Sequence, residues 1–131
     1  MSEIITDKLT GKTSAGDVTI TSEGGSATMQ LQQGVAKVWI NFDGTGTIAS
    51  RDSLNTSGLV DIGTGQYSFT LANAMSNSSY AAQVTPREAG YMGGFYHSGS
   101  TASLVRVSSV TDSGSFGDSN VMACSTLGDL A

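Results

Sequence analysis

Residues 36–75 read AKVWINFDGTGTIASRDSLNTSGLVDIGTGQYSFTLANAM, and apolar and polar side chains alternate through this stretch with a period of two. That period sends successive side chains to opposite faces of an extended strand and gives a helix no coherent apolar stripe. Over residues 37–42, Val38, Ile40 and Phe42 form one face, while Lys37, Trp39 and Asn41 form the other. Over residues 66–72, Tyr67, Phe69 and Leu71 face inward against Gln66, Ser68 and Thr70. Two Gly-x-Gly turns, at 44–46 and 63–65, separate the apolar runs, where glycine supplies the positive φ of tight connections. Residues 47–51 and 59–62 read as further short strands, with a polar corner at 54–58.

The same reading extends in both directions. Residues 3–10 predict a short strand or extended arm, and 17–22 alternate with Val18 and Ile20 on one face. After a turn at 23–26, residues 27–33 alternate again and bring Met29 and Leu31 together; 30–36 also fit a turn of helix. This ribbon has a thin apolar face, is marginal alone and wants a partner surface. Downstream, Tyr80, Ala82 and Val84 share a strand face that Pro86 stops. Residues 89–97 read as a strand with a bulge at Gly93 and Gly94. Residues 104–110 and 120–126 complete the set, the latter alternating Val121, Ala123 and Ser125 against Met122 and Cys124, and 111–119 read as the most flexible loop. Strands recurring about every ten residues without a convincing helix predict an all-β chain. The expected architecture is an antiparallel β-sandwich or jelly-roll-like domain over 34–131, with an extended N-terminal β arm over 1–33.

Composition narrows the function. At 131 residues the chain supports one two-layer core. Ser and Thr fill roughly a quarter of it and charge is sparse, which suits short strands and tight turns. The net charge is −5 and no two Lys or Arg are adjacent, so a nucleic-acid groove has no clustered cations to build on. No apolar run reaches the ~20 residues of a membrane-spanning helix, and the start MSEIITDKLTGK lacks the pattern of a signal peptide, so synthesis in a cytoplasm is expected. Cys124 is the single cysteine and has no partner for an intrachain disulfide or a metal cluster.

No motif carries catalysis. Residues 44–49 match G-x-G-x-x-A, yet SRDSLNTSG follows where a dinucleotide site needs a helix. Asn41, Asp43, Thr45, Gly46 and Asp52 fit calcium-loop spacing, with Asn at position one, Asp at position twelve and no flanking helices; the reading is a plain turn. His97 is the only histidine, and no G-x-S-x-G elbow accompanies it. Asp43, Asp52 and Asp61 read as scattered turn acids rather than a glycosidase pair. Neither catalytic residue nor metal nor cofactor is expected. Tyr91, Phe95, Tyr96 and His97 form the densest aromatic patch, suited to core or subunit packing or to stacking on a sugar ring.

The runs KLTGKTSAGDVTITSEGGSATMQLQQGVAKVWINFDGTGTIASRDSLN and GLVDIGTGQYSFTLANAMSNSSYAA resemble small virion structural proteins of tailed bacteriophages, a pattern also found in tail-fibre-like modules. Asp61, Gly63, Thr64, Gly65, Tyr67, Ala74, Met75 and Tyr80 fit the family wording, with Ser76 in the usual place of Pro. The likeness covers about residues 8–85. It implies a non-enzymatic virion component, made in the host cytoplasm and residing on the virion surface as a homotrimer. The leading expectation is a capsid decoration or knob protein. Its arm, through Ile4, Ile5, Leu9, Val18 and Ile20, would dock on the major capsid protein or another virion protein. The alternative is a short tail fibre or adhesin whose sandwich binds a host surface glycan through Tyr91, Phe95, Tyr96 and His97. Neither expects a nucleic acid or a membrane as partner.

Overall fold

The structure, a computed structural model, describes residues 3–14 and 16–131. Residues 1, 2 and 15 of the expected arm lie outside the described residues. The chain divides into two compact units, Met1–Val35 and Ala36–Ala131.

In the first unit, β1 (Thr19–Thr21) and β2 (Thr28–Gln30) pair antiparallel with Ile20 opposite Met29. The turn between them closes through Gly25 N–H donating to Ser22 O at 2.8 Å, with Gly25 at φ +72°. A single turn of helix, α1 (Leu31–Gly34), follows, so the helical reading of 30–36 holds over those four residues. Residues 3–10 form no strand. None of the described residues in this unit is buried.

The second unit is a sandwich of two antiparallel four-stranded sheets. Its strands are β3 (Val38–Asp43), β4 (Ala49–Leu54), β5 (Thr56–Gly63), β6 (Gln66–Leu71), β7 (Ala81–Pro86), β8 (Tyr91–Phe95), β9 (Leu104–Thr111) and β10 (Met122–Leu127). One sheet runs β4-β3-β10-β7 and the other β5-β6-β9-β8. The alternation read from the sequence decides which side chains meet between them. Val38, Ile40, Phe42, Met122 and Cys124 from the first sheet pack against Tyr67, Phe69, Leu71, Val105 and Val107 from the second. Phe42 and Tyr67 meet edge to face with ring centroids 5.1 Å apart. Each such side chain contributes about 1.5–3 kcal/mol by leaving water.

Three local expectations change. The polar corner at 54–58 shrinks to Asn55 alone, whose φ of +59° turns the chain from β4 in one sheet to β5 in the other. Asparagine tolerates this left-handed conformation better than other non-glycine residues. Its carboxamide secures the corner: Nδ2 donates to Asn73 O at 2.9 Å and Oδ1 accepts from Asn73 N–H at 2.6 Å.

The bulge expected at Gly93 and Gly94 is absent, and β8 pairs with β9 in unbroken register from Tyr91↔Thr111 to Phe95↔Val107. These glycines answer to crowding instead. A Cβ on Gly93 would lie 2.3 Å from Val84 O on β7, and one on Gly94 would lie 2.6 Å from Ser108 Oγ.

The loop 111–119 is tied down rather than loose. Gly65 N–H donates to Asp118 Oδ1 at 2.6 Å, and the Tyr67 hydroxyl lies 2.9 Å from the same oxygen. Ser119, fully buried, donates to the Glu88 carboxylate, whose Oε1 also accepts from Asn120 N–H at 2.9 Å. Loop 73–79 is likewise anchored. Met75 is buried, its N–H donating to Ala102 O at 2.7 Å, and Ser76 N–H donates to Asp129 O at 2.8 Å.

Candidate functional site

Because β3, β10 and β7 lie side by side, residues outward on each strand share a surface. Cross-strand register sets Trp39 opposite Ser125 and Ser125 opposite Gln83. The next outward row is Asn41, Ala123 and Thr85. Ala123 and Ser125 on the central strand are small and their neighbours are longer, so the face dips along β10 into a groove of about 340 Å³. No charged side chain lines it. Asp52 on β4 stands opposite Asn41, and along the chain Lys37 and Asp43 lie two positions before Trp39 and two after Asn41. Leu54, exposed, stands opposite Trp39 and extends the apolar side of the face.

The sequence patterning marks Trp39 and Asn41 as outward but does not single them out as a site. Their partners Gln83, Thr85, Ala123 and Ser125 come from segments more than forty positions away. Only the order β3-β10-β7 brings the six together.

The four aromatic-patch residues are distributed over different environments. Phe95 packs on the core, with its ring centroid 5.5 Å from that of Tyr80 and 6.1 Å from the His97 ring. Tyr91 is half-buried beside Gly117, where an added Cβ would meet its ring at 2.7 Å. Tyr96 and His97 are exposed, His97 opening a short 3-10 turn, His97–Gly99.

In the first unit, Ile4 and Ile5 are each 86% exposed, and Leu9, Ile20 and Met29 are also exposed, with Val18 half-buried. Ile20, Ala27 and Met29 line a shallow, mostly apolar depression on the β1–β2 hairpin.

Comparison with protein-family models, curated proteins and solved structures finds no match to this chain. Function therefore rests on the chain's own surfaces.

The Asp43 carboxylate is engaged structurally. Asp43 accepts from Thr45 Oγ1 at 2.7 Å, from Thr45 N–H at 2.9 Å and from Arg51 at 2.9 Å. These contacts, the Thr45 hydroxyl first, hold its carboxyl below the usual range. Residues 43–46 of the calcium-like spacing thus form an Asx turn closed by an ion pair. Burial pushes the Cys124 thiol up to about 12, far from a reactive thiolate. Among the described residues, no group of three or more His, Cys, Asp or Glu side chains is placed to hold a metal ion.

Proposed function

We propose that this chain is a non-enzymatic structural protein of a bacteriophage virion surface, a homotrimeric capsid decoration or knob protein. Its N-terminal unit attaches to the major capsid protein or another virion protein. The observation that carries this reading is the make-up of residues 3–35. They hold Ile4, Ile5, Leu9, Ile20 and Met29 at the surface and bury none of the described residues. An isolated two-stranded ribbon is marginal in water, and Ile20 and Met29, paired across the hairpin and exposed, offer a partner apolar surface. Residues 36–131, by contrast, bury their own core. The resemblance of residues 8–85 to small phage virion proteins supports the assignment of the partner. The chemistry of the side chains supports a non-enzymatic role: the one thiol is buried and protonated, and the Asp43 carboxylate is consumed by a turn. Deletion of residues 2–22 is expected to abolish attachment to particles while the sandwich keeps its cooperative unfolding transition. Attachment retained by the shortened chain would sink the reading.

A further inference from the structure

Most hydroxyl and carboxamide groups at turns and strand ends of the sandwich are occupied within the chain. Asn55 binds Asn73, Thr56 binds Ser53, Ser119 binds Glu88 and Ser100 binds Tyr96. The groove along β10 departs from that habit. Among the described residues, Trp39, Gln83, Thr85 and Ser125 make no side-chain hydrogen bond, and Asn41 Oδ1 is buried without a partner. An unpartnered buried carbonyl oxygen costs about 1–3 kcal/mol, so a group that donates to it, once the amide turns toward the groove, recovers that loss.

We infer that this groove binds a neutral oligosaccharide. A sugar ring has an apolar C–H face and a rim of hydroxyls that both donate and accept. The groove offers the matching parts: an indole for the ring face, two carboxamides that each donate and accept, and two hydroxyls. Strand spacing of about 4.8 Å sets the walls on β3 and β7 roughly 10 Å apart, with the small residues of β10 between them. The two rows lie about 7 Å apart along the strands, so a ligand longer than one ring meets both. The volume, about 340 Å³, falls at the lower end of small-ligand sites, which run from about 300 to 1,000 Å³.

Charge decides against the other ligands of similar size. An anionic sugar, a phosphate or a nucleotide finds no cation in the lining, meets Asp52 beside Asn41 and approaches a chain of net charge −5. A cationic ligand is drawn by Asp52 and the net charge but finds no carboxylate in the lining to pair with. The inference does not rest on the virion reading, since it uses only the sandwich face.

Trp39 is the sole tryptophan of the chain, so fluorescence excited selectively at tryptophan reports on the groove. The full-length protein is titrated with gluco-, galacto-, manno- and N-acetylglucosamine-based oligosaccharides, with sialylated and sulfated sugars alongside. A saturable change in emission with at least one neutral oligosaccharide is expected. Gln83→Ala and Asn41→Ala should each weaken it about tenfold or more, a loss of about 1.4 kcal/mol, and Tyr96→Ala should leave it unchanged. Thermal unfolding of each variant checks its fold, and exposed Gln83 carries the test if Asn41→Ala fails to fold. The inference is overturned by no saturable response to any neutral sugar, by a response confined to the acidic sugars, or by binding indifferent to both substitutions. A concentration-dependent emission shift of the protein alone would also overturn it, since a second copy would then cover the face.

Discussion

The hydroxyl of Tyr67 lies 2.9 Å from Oδ1 of Asp118, joining the start of strand β6 to a loop fifty-one residues later. The same hydroxyl is 3.0 Å from Gly44 O, and Asp118 Oδ1 also accepts from Gly65 N–H. One phenol thus sits at the meeting point of both Gly-x-Gly turns and the loop 111–119. Burial first, and then the Asp118 carboxylate, push the Tyr67 hydroxyl well above its ordinary pKa, so it stays a hydrogen-bond donor at any physiological pH.

Replacing Tyr67 with Phe keeps the ring against Phe42 and removes only that donor. A hydrogen bond to a charged acceptor contributes about 1.5–3 kcal/mol, so Tyr67→Phe should destabilise the sandwich by roughly that amount in urea unfolding. A change below about 0.5 kcal/mol would show that the carboxylate is fully served by Gly65 and solvent.

The glycines of the two turns should separate sharply. Gly65 has φ +62°, and a Cβ there would lie 2.5 Å from Ser109 O and 2.6 Å from Gly117 N. Gly46 has φ +59° but open space around it. Gly46→Ala should therefore show only the left-handed backbone cost of about 1–2 kcal/mol. Gly65→Ala adds clashes with three backbone atoms and should exceed about 3 kcal/mol or prevent folding. Equal thermal midpoints for the two variants would contradict the packing described at Gly65.

Asn55 combines a corner and a clamp. Asn55→Gly keeps the backbone turn and loses the three side-chain hydrogen bonds to Asn73, for an expected cost of about 1–2 kcal/mol. Asn55→Ala loses the bonds and adds a left-handed backbone penalty, so it should cost about 1–2 kcal/mol more than the glycine variant. Denaturant unfolding of the pair resolves the order; alanine proving the milder change would refute the corner.

Acid should loosen the 111–119 loop through Glu88. Hydrogen bonds from Ser119 first, and then from the Asn120 backbone, hold the Glu88 carboxyl below its ordinary value of 4.5. A carboxyl depressed in the folded state stabilises it fully above the unfolded pKa, and that contribution fades as pH falls through the folded pKa. Thermal midpoints should thus decline below about pH 4.5, and Glu88→Gln should flatten part of that decline. Asp43, depressed by Thr45 and Arg51, shifts in the same direction, so some slope should remain in the variant.

Much of this fold is legible in the sequence because a period of two leaves little choice. Val38, Ile40 and Phe42, like Tyr67, Phe69 and Leu71, are buried as their alternation requires. Met75 and Ser119 are not legible, since each is buried through a loop whose anchors, Ala102 and Glu88, lie far away in the chain. The pair Gly93-Gly94 misleads for a similar reason: close approach of Val84 on β7 to Gly93 and of Ser108 on β9 to Gly94 demands small residues without any break in pairing. The groove is hidden for a topological reason. Trp39, Ser125 and Gln83 become neighbours only when β10 inserts between β3 and β7, and periodicity within a strand carries no information about sheet order.

The most direct test of the proposed role is the amount of this protein in purified virions relative to the major capsid protein, measured by quantitative mass spectrometry. A capsid decoration should be present in a fixed, high proportion to the major capsid protein and vanish from particles made with the 2–22 deletion. A count far below that of the capsid lattice would contradict decoration and favour a fibre. Complete absence from particles would contradict the virion role itself.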